Sequence, residues 1–221
     1  MAKVPRAGNV KTRLQPFLRA EQSQTLAEAF LSDAINKTRN LCDKLIVAFT
    51  PAAKKDYFTR FDTGNLILIE QTGANLGDKM FNAFDFAFQT ISDASVVMIG
   101  TDSPTFPARF VEDAFAALET NAEIILGEAA DGGFYLIGLR KNLPEIFENM
   151  EWSSPQVYTQ IKRKIERLKL NLQTIPAWYD VDNSADLLQL KIEMFDDQMK
   201  ATAPQTFQWL IENWKIVDGA T

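Results

Sequence analysis

Histidine is absent from the 221 residues of this chain. Its absence removes the side chain that most often acts as a general base near neutral pH and that most often binds zinc. Any metal ion held by this protein is therefore expected to have oxygen ligands, which Mg²⁺ and Mn²⁺ prefer. Candidate chemistry has to be sought among the carboxylates, lysines, arginines and backbone groups.

Cysteine, clustered positive charge and long apolar runs are scarce as well. Cys42 is the only cysteine, which excludes an intrachain disulfide and favours a reducing compartment, so we predict a cytoplasmic protein. The net charge of −6 argues against a general nucleic-acid or membrane-surface binder. No apolar run approaches the roughly 20 residues of a membrane-spanning helix, and the N-terminus lacks the apolar core of a signal peptide.

The residues that are present predict a packed α/β protein. A hydrophobic fraction of 46% and sixteen phenylalanines favour a sizeable core, and no linker divides the chain, so we expect one domain over residues 1–221. Apolar strand-like runs alternate with amphipathic segments, which is typical of a three-layer α/β/α fold with a mostly parallel, twisted sheet. The short connection between the fourth and fifth of these runs predicts one antiparallel pairing in a mixed sheet.

The predicted strands cover 44–50, 66–70, 95–99, 123–127, 134–139 and 171–175. The predicted helices begin after Glu21, cover 54–60, 78–91 and 107–120, begin again at 153–155, and cover 184–200 and 204–214 at the C-terminal end. The phenylalanine stripe of 78–91 is expected to face the core. The apolar face of 204–214 is expected to pack on the core or, alternatively, to form a dimer contact, which leaves a monomer and a homodimer both open.

Residues able to carry chemistry lie in loops near the ends of these elements. Asp102 follows the buried strand 95–99 in a proline-rich turn, the position where open α/β sheets bind ligands. Because loops at one edge of a parallel sheet converge, we expect the other polar loops to meet Asp102 there. These loops contain Lys3, Gly8, Lys11 and Arg13; Gly73 and Gly77; Asp131, Gly132 and Gly133; and Asp180 and Asp182.

Without histidine, this set of residues is most compatible with transfer at phosphate. Asp102 and Asp182 would suffice to hold Mg²⁺ or Mn²⁺, because such ions usually take one or two carboxylates plus substrate phosphates. Lys11 and Arg13, beside Gly8, form a basic loop that could approach a pyrophosphate. Gly132 and Gly133 could allow the backbone to come close to a substrate hydroxyl or ring.

Each of these features also has a purely structural interpretation. A basic loop is often only solvated, and an aspartate such as Asp102 often braces its own turn. Asp180 and Asp182 could be acids near the N-terminus of the helix that begins at Ser184. Gly132-Gly133 is most often a tight turn. The joint occurrence of the four features favours the functional interpretation.

Six segments, taken in order, resemble the DUF2064 family of glycosyltransferase A (GT-A)-like proteins in the nucleotide-diphospho-sugar transferase superfamily. They are KVPRAGNVKTRL, GANLGDKM, IGTDSPTFP, LGEAADGGFYLIGL, WSSPQVY and YDVDNSADL. The resemblance covers Lys3 to about Leu188. It implies a GT-A fold and a nucleotide-activated donor substrate.

The resemblance also implies roles for individual residues. Lys11, Thr12 and Arg13 would handle the nucleotide phosphates, together with Lys3, Gly8 and Gly77. Asp102 and Asp182 would bind the divalent metal. Asp131, Gly132 and Gly133 would face the acceptor, and Asp102 and Asp131 are the predicted catalytic residues. The family normally begins with an apolar strand directly before Ala2-Lys3, so the first strand is predicted to be missing or truncated here.

Three functions follow as hypotheses. The first is a metal-dependent, glycosyltransferase-like enzyme that uses a nucleotide-activated donor. The second is a nucleotidylyltransferase similar to phospholactate guanylyltransferase, which the basic N-terminal loop favours because a triphosphate carries more charge to neutralise. The third is a non-catalytic nucleotide-binding module, which a missing first strand would favour.

Overall fold

The computed structural model describes residues 1–62, 64–152, 154–213 and 215, without the side chains of residues 198 and 199. Its strands are β1 (Ala2–Lys3), β2 (Leu45–Thr50), β3 (Leu66–Glu70), β4 (Val96–Ile99), β5 (Ile124–Ala129), β6 (Phe134–Leu139) and β7 (Leu172–Trp178). Its helices are α1 (Ala20–Thr38), α2 (Asp56–Thr59), α3 (Leu76–Thr90), α4 (Arg109–Thr120), α5 (Val157–Arg167), α6 (Ser184–Glu193), α7 (Asp197–Thr202) and α8 (Pro204–Glu212).

The strands form two hydrogen-bonded groups in the orders β1-β2-β3 and β4-β6-β5-β7. The first group is entirely parallel, and β5 is parallel to β7. The predicted antiparallel pairing is confirmed between β5 and β6, because the four residues of their connection are too few for a parallel crossover. Since β6 is also antiparallel to β4, it is the strand that makes the sheet mixed.

The N-terminal segment differs from the prediction. Residues 2–3 form a two-residue strand where the sequence predicted a loop, so the alternative of an entirely missing first strand is wrong. Ala2 pairs with Phe49 and Lys3 with Thr50, and the Val4 N–H donates to the Thr50 carbonyl at 2.8 Å. The strand ends there because Pro5 has no N–H to continue the ladder. The loop that follows therefore starts from a hydrogen-bonded anchor.

Other element boundaries also differ from the sequence prediction, and the largest differences lie toward the C-terminal end. The predicted helix 184–200 is divided into α6 and α7, which are separated by residues 194–196. Strand β7 runs through Pro176 to Trp178, beyond the predicted end at 175. Proline is tolerated there because β7 is an edge strand with β5 on one side. The predicted helix start at Ser153 and helix end at Trp214 lie outside the described residues.

Helices cover both faces of the strands, so most strand residues are apolar on both sides. Helices α3 and α5 cover one face, and the predicted inward orientation of Met80 and Phe84 is confirmed because these side chains are 4% and 0% exposed. The C-terminal helices pack on α1, where Trp209 is 5% exposed. Within the described part of the chain, no helix is long and apolar enough to cross a bilayer.

A buried carboxylate fixes the last helix. Asp33 on α1 accepts hydrogen bonds from the backbone N–H of Gln205 at 3.0 Å and from that of Thr206 at 2.8 Å. It also accepts one from the Thr206 hydroxyl at 2.7 Å. Two N–H groups at the start of α8 that have no intrahelical partner are thereby satisfied from another helix.

Candidate active site

Lys11 lies at the centre of the candidate site. It has a left-handed backbone conformation, with φ 47° and ψ 41°, immediately before a short 3-10 helix at Thr12–Leu14. Leu14 is fully buried and anchors this turn in the core. The Lys11 side chain is 4% exposed, and its Nζ lies 2.5 Å from Asp102 Oδ1 and 3.2 Å from Asp182 Oδ1. The ammonium also donates to the Val181 carbonyl at 2.8 Å.

The two carboxylates come from loops that are joined by a backbone hydrogen bond. Asp102 follows β4, Asp182 follows β7, and the Val181 N–H donates to the Asp102 carbonyl at 2.9 Å. The carboxylate side chains are 53% and 36% exposed, so both remain open to solvent while Lys11 is buried. The structure therefore places a buried cation beneath two accessible acids at the carboxyl end of β4.

The purely structural interpretations of Asp102, Asp182 and Lys11 agree less well with the contacts of these side chains. The N-cap of α6 is Asn183, whose side chain accepts from the N–H groups of Ala185 and Asp186, and Asp186 completes the capping box. Asp182 is thus free of the capping role. The Asp102 carboxylate pairs with Lys11, and Lys11 is buried rather than solvated.

Burial and charge act in opposite directions on Lys11. Desolvation lowers its pKa, but Asp102 and Asp182 outweigh this effect and hold the pKa above its usual value. The ammonium therefore stays charged in the site. Its single positive charge offsets part of the negative charge of the two neighbouring carboxylates.

Asp180, expected from its loop to meet Asp102 but given no catalytic or binding role, is a further acidic residue at the site. Its Oδ1 accepts a short hydrogen bond from the Ser103 hydroxyl. Burial raises the pKa of Asp180 to about 6, with further contributions from the negative charges of Asp102, Asp131 and Asp182. The D-V-D spacing could have indicated that Asp180 lies on the same side as Asp182. Alternate residues of an extended segment point the same way, and the intervening Val181 is buried.

A small pocket of about 200 Å³ opens beside Lys11. Of the residues predicted to bind the donor or metal, Lys3, Lys11, Asp102 and Asp182 line it, together with Asn9, Val10, Ala27 and Thr101. Lys3 Nζ donates to the Asn9 carbonyl at 2.6 Å, which links two residues that line this pocket. The predicted convergence is therefore observed for four residues.

The other residues of the N-terminal loop that were predicted to bind phosphate are exposed and lie outside this pocket. Gly8 is exposed, with φ +79°, and a Cβ at that position would meet nothing within 4 Å. Thr12 is exposed, and the Arg13 guanidinium is 78% exposed and 3.8 Å from Asp182 Oδ2. Such an exposed pair contributes little to stability. Their phosphate-binding roles stay predictions.

Gly77 is in the first turn of α3 and faces Trp152. A Cβ at Gly77 would lie 2.0 Å from the indole Nε1, so the absence of a side chain allows this ring to pack against the helix. Gly77 is not among the residues that line the 200 Å³ pocket. Its predicted contact with phosphate remains untested.

The Asp131–Gly133 segment forms the tight turn of the β5–β6 hairpin. Asp131 Oδ1 accepts from the Gly133 N–H at 2.9 Å, and Gly132 has φ +89°. A Cβ on Gly132 would lie 1.8 Å from the Pro155 carbonyl oxygen, and the Tyr158 N–H donates to the Gly132 carbonyl at 2.9 Å. The turn thus docks against the start of α5, and its acceptor-binding role stays a prediction.

The donor set fits Mg²⁺ or Mn²⁺. Asp102 and Asp182 direct one carboxylate oxygen each toward the same atom, Lys11 Nζ, and carboxylate oxygen is the ligand type that these ions take. Among the described residues, no group of three or more acidic, histidine or cysteine side chains is arranged to hold an ion by itself. A metal here would accordingly depend on oxygens from the substrate.

The fold is an α/β fold of the nucleotide-diphospho-sugar transferase type. A solved structure from Desulfovibrio desulfuricans G20, provisionally assigned as a nucleotide-diphospho-sugar transferase, matches with a TM-score of 0.90 and 29% identity over 99% of this chain and 94% of that one. The inositol-1-phosphate CTP transferase of T. maritima shares the fold alone, with a TM-score of 0.56 and 13% identity over 93% of this chain and 94% of that one.

Sequence comparison identifies the family. The model of DUF2064, described as an uncharacterized protein conserved in bacteria, matches residues 34–154, which is more than half of the chain. This protein belongs to the DUF2064 family. A 2-phospho-L-lactate guanylyltransferase from Methanocaldococcus sp. (strain FS406-22) is 30% identical over 139 residues, which are 62% of this chain. The match spans 57% of that relative's length.

Proposed function

We propose that this protein is a nucleotidyltransferase that joins a nucleoside monophosphate, taken from a nucleoside triphosphate, to a small phosphorylated acceptor. The observation that carries this proposal is the buried Lys11 ammonium in contact with both Asp102 and Asp182. A fixed cation beside two carboxylates is suited to a substrate that brings both phosphate charge and a divalent ion. The similarity to a guanylyltransferase supports the same reaction class.

In the proposed reaction, a phosphate oxygen of the acceptor attacks the α-phosphorus of the triphosphate. The bond between the α-phosphorus and the oxygen that bridges to the β-phosphorus breaks, and pyrophosphate leaves with that electron pair. Lys3 and Lys11 would bind the pyrophosphate portion and stabilise the charge that develops on it. The donor nucleotide would enter by the pocket that these two lysines line.

The absence of histidine is compatible with this reaction. A phosphate monoester has a second pKa near 6, so its attacking oxygen is already deprotonated at neutral pH. No general base is required for the attack. Positioning and charge neutralisation then account for the catalysis, as is usual for phosphoryl transfer.

Asp102 and Asp182 would hold Mg²⁺ or Mn²⁺, which would neutralise phosphate charge when bound. Lys11 would then exchange part of its contact with the carboxylates for contact with the donor phosphates. Asp131, with the backbone of Gly132 and Gly133, would face the acceptor from the β5–β6 turn. A cytoplasmic location, predicted from the single cysteine, remains part of this proposal.

A glycosyl transfer from a nucleotide-diphospho-sugar is the second candidate. The similarity over almost the whole chain to the Desulfovibrio desulfuricans G20 protein favours it. An acceptor hydroxyl would have to lose a proton in that reaction, which gives a carboxylate such as Asp131 a base role. The third hypothesis, a non-catalytic module, is weakened because β1 anchors the loop that carries Lys11.

The released product distinguishes the candidates. The purified protein would be incubated with each nucleoside triphosphate, Mg²⁺ or Mn²⁺, and small phosphorylated acids, including 2-phospho-L-lactate. Pyrophosphate release that depends on the acceptor supports nucleotidyl transfer. Release of a nucleoside diphosphate from nucleotide-diphospho-sugars supports glycosyl transfer instead. Nucleotide binding without either product over both panels would contradict both and support the binding module.

A further inference from the structure

The turn after β4 carries Asp102, and its backbone is short of hydrogen-bond donors. Pro104 and Pro107 have no N–H, so two positions of this segment cannot donate. Residues 103–106 are nevertheless buried. Among the described residues, no backbone N–H donates to the carbonyl of Pro104 or to that of Phe106. Because buried carbonyls need donors, the turn depends on side chains from other elements.

Lys37 of α1 donates to both of these carbonyls. Its Nζ lies 2.6 Å from the Pro104 carbonyl oxygen and 2.7 Å from that of Phe106. The same ammonium lies 4.1 Å from the centroid of the Phe106 ring, where a cation is attracted to the ring electrons. One side chain of α1 therefore binds the turn on both sides of Thr105.

The burial of Lys37 lowers rather than raises the stability of the fold. The pKa of its ammonium falls to about 7, because the charged form loses its hydration there. Asp33, one turn earlier on α1, opposes this effect without cancelling it, and its carboxylate accepts hydrogen bonds from the start of α8. An apolar side chain at this position would avoid the cost of desolvation. A costly buried cation with two hydrogen bonds to one turn indicates that the shape of this turn matters to function.

The turn is also joined to the loop that follows β7. The Asp102 carbonyl accepts from the Val181 N–H at 2.9 Å, and the Ser103 hydroxyl donates to Asp180. The two carboxylates of the proposed metal site, Asp102 and Asp182, thus lie on segments that are bonded to each other. A displacement of the turn would move both carboxylates.

Helix α1 supports Lys11 as well as the turn of Asp102. Lys11 Nζ lies 5.2 Å from the centroid of the Phe30 ring. Phe30 and Lys37 are seven residues apart, so they share one face of α1 and are separated by about 10 Å along its axis. The same face of one rigid helix therefore contacts the cation at one point and the turn that carries the carboxylate at another.

We propose that Lys37 is a positioning residue of the candidate active site, which holds the turn of Asp102 against α1 and so keeps the Asp102 carboxylate beside Lys11. Among the described residues, no hydrogen bond or ion pair joins Lys37 to Asp102 itself, so Lys37 acts through the backbone of the turn. Its effect on catalysis rests on the proposed function. Its effect on the turn does not.

The test compares the wild type with Lys37→Met, Lys37→Arg and Phe84→Leu. Lys37→Met keeps a long apolar side chain and removes the donors, whereas Lys37→Arg keeps N–H donors at a similar reach. Phe84→Leu is the control for lost stability, because Phe84 is fully buried in a cluster that contains no residue of the turn. Urea unfolding shows how much stability each variant has lost.

The first measurement follows the turn itself, without nucleotide or metal. Trp178 Nε1 donates to the Thr105 hydroxyl at 3.2 Å, between the two carbonyls that Lys37 binds. The indole N–H signal of Trp178 in a ¹H–¹⁵N spectrum therefore reports on the turn. We expect Lys37→Met to shift this signal by more than its linewidth. Lys37→Arg should restore most of its position, and Phe84→Leu should leave it unchanged.

The second measurement follows the site. In the presence of a nucleoside triphosphate, we expect Lys37→Met to weaken Mn²⁺ binding at least about fivefold, because Asp102 is a charged ligand out of place. We expect kcat for pyrophosphate release to fall at least about tenfold and KM to change less than about threefold, since misplaced groups cost most in the transition state. Lys37→Arg should recover most of both losses. Phe84→Leu should show neither.

An unchanged indole signal in Lys37→Met, or an equal change in Phe84→Leu, would overturn the proposal. Wild-type kcat and Mn²⁺ affinity in Lys37→Met would overturn it as well, even if the indole signal moved. If the wild type releases no pyrophosphate, the proposed reaction fails. The indole signal then decides separately whether Lys37 holds the turn, by the same comparison of Lys37→Met with Lys37→Arg and Phe84→Leu.

Discussion

The Lys11 ammonium lies 2.5 Å from Asp102 Oδ1, with the lysine side chain 4% exposed and the aspartate side chain 53% exposed. The lysine side chain is therefore buried against the core, whereas the carboxylate remains accessible to solvent and substrate. This asymmetry allows substrate to reach the carboxylate without unfolding the loop that carries Lys11. It also makes the two residues separately testable.

Lys11→Met removes the buried cation and keeps an unbranched apolar side chain. We expect kcat/KM for the nucleoside triphosphate to fall at least about 100-fold, because one fixed group that stabilises developing charge is lost. Arg13→Met should lower it less, since that guanidinium is largely exposed. Pyrophosphate release measures the effect. A loss of the same size in Lys54→Met, which changes an exposed lysine of the 52–54 turn, would show that the effect is not specific to the site.

Asp102→Asn tests the proposed metal site. We expect the affinity for Mn²⁺ in the presence of nucleotide to fall at least about tenfold, because a charged ligand becomes a neutral amide. Calorimetric titration measures this, with Asp62→Asn as the control, since Asp62 is exposed and accepts a hydrogen bond from the Gly64 N–H. Lys11→Met should bind Mn²⁺ more tightly without nucleotide, because its ammonium competes for the same carboxylates. Undiminished metal affinity in Asp102→Asn would contradict the assignment.

Gly77→Ala separates packing from phosphate binding at that glycine. The new Cβ would lie 2.0 Å from Trp152 Nε1, so we expect destabilisation by about 1–3 kcal/mol, as is typical of overpacking. Gly100→Ala is the matched control, because a Cβ there meets nothing within 4 Å. Urea unfolding of both variants gives the comparison. A stable Gly77→Ala protein with weakened nucleotide binding would instead favour the phosphate role.

Asp33→Ala should loosen α8. The substitution leaves the N–H groups of Gln205 and Thr206 and the Thr206 hydroxyl without their acceptor, so we expect a loss of about 2–4 kcal/mol. The exposed Asp43→Ala serves as the control and should change stability by less than about 0.5 kcal/mol. Proteolysis near the C-terminal helices, followed over time, should accelerate in Asp33→Ala only.

Lys37 should make stability depend on pH above neutrality. It donates to the carbonyls of Pro104 and Phe106 at 2.6 and 2.7 Å, and burial lowers its pKa to about 7, opposed by Asp33. Between about pH 7 and 10 the unfolded chain binds a proton that the folded chain lacks, so stability rises with pH. We expect Lys37→Met to lose up to about 1 kcal/mol of this rise per pH unit.

Urea unfolding at pH 7.0 and 9.0 measures the slope for Lys37. Lys54→Met, at an exposed position, should keep the slope of the wild type. Identical slopes in Lys37→Met and the wild type would show that the side chain remains charged when folded.

Much of the fold was predictable because its signals are local. The predicted strands 66–70 and 134–139 match β3 and β6 residue for residue, and 95–99 begins one residue before β4, since buried β-branched and apolar runs bounded by polar turns are read over a few residues. Strand β1 was not predicted, because two residues carry no periodicity and are held by pairing with β2. The division of 184–200 into α6 and α7 was also missed, as the helical pattern continues across it.

The sequence by itself determined which chemical groups are available: a basic loop and carboxylates after strands, with no histidine to act as a base. Only the tertiary structure decided that Lys11, and not Arg13, is the buried cation, and that it contacts Asp182, 171 residues away. It also decided that Gly77 accommodates Trp152. The physical reason is that composition and spacing act along the chain, whereas the contacts of a side chain depend on which distant backbone the core brings beside it.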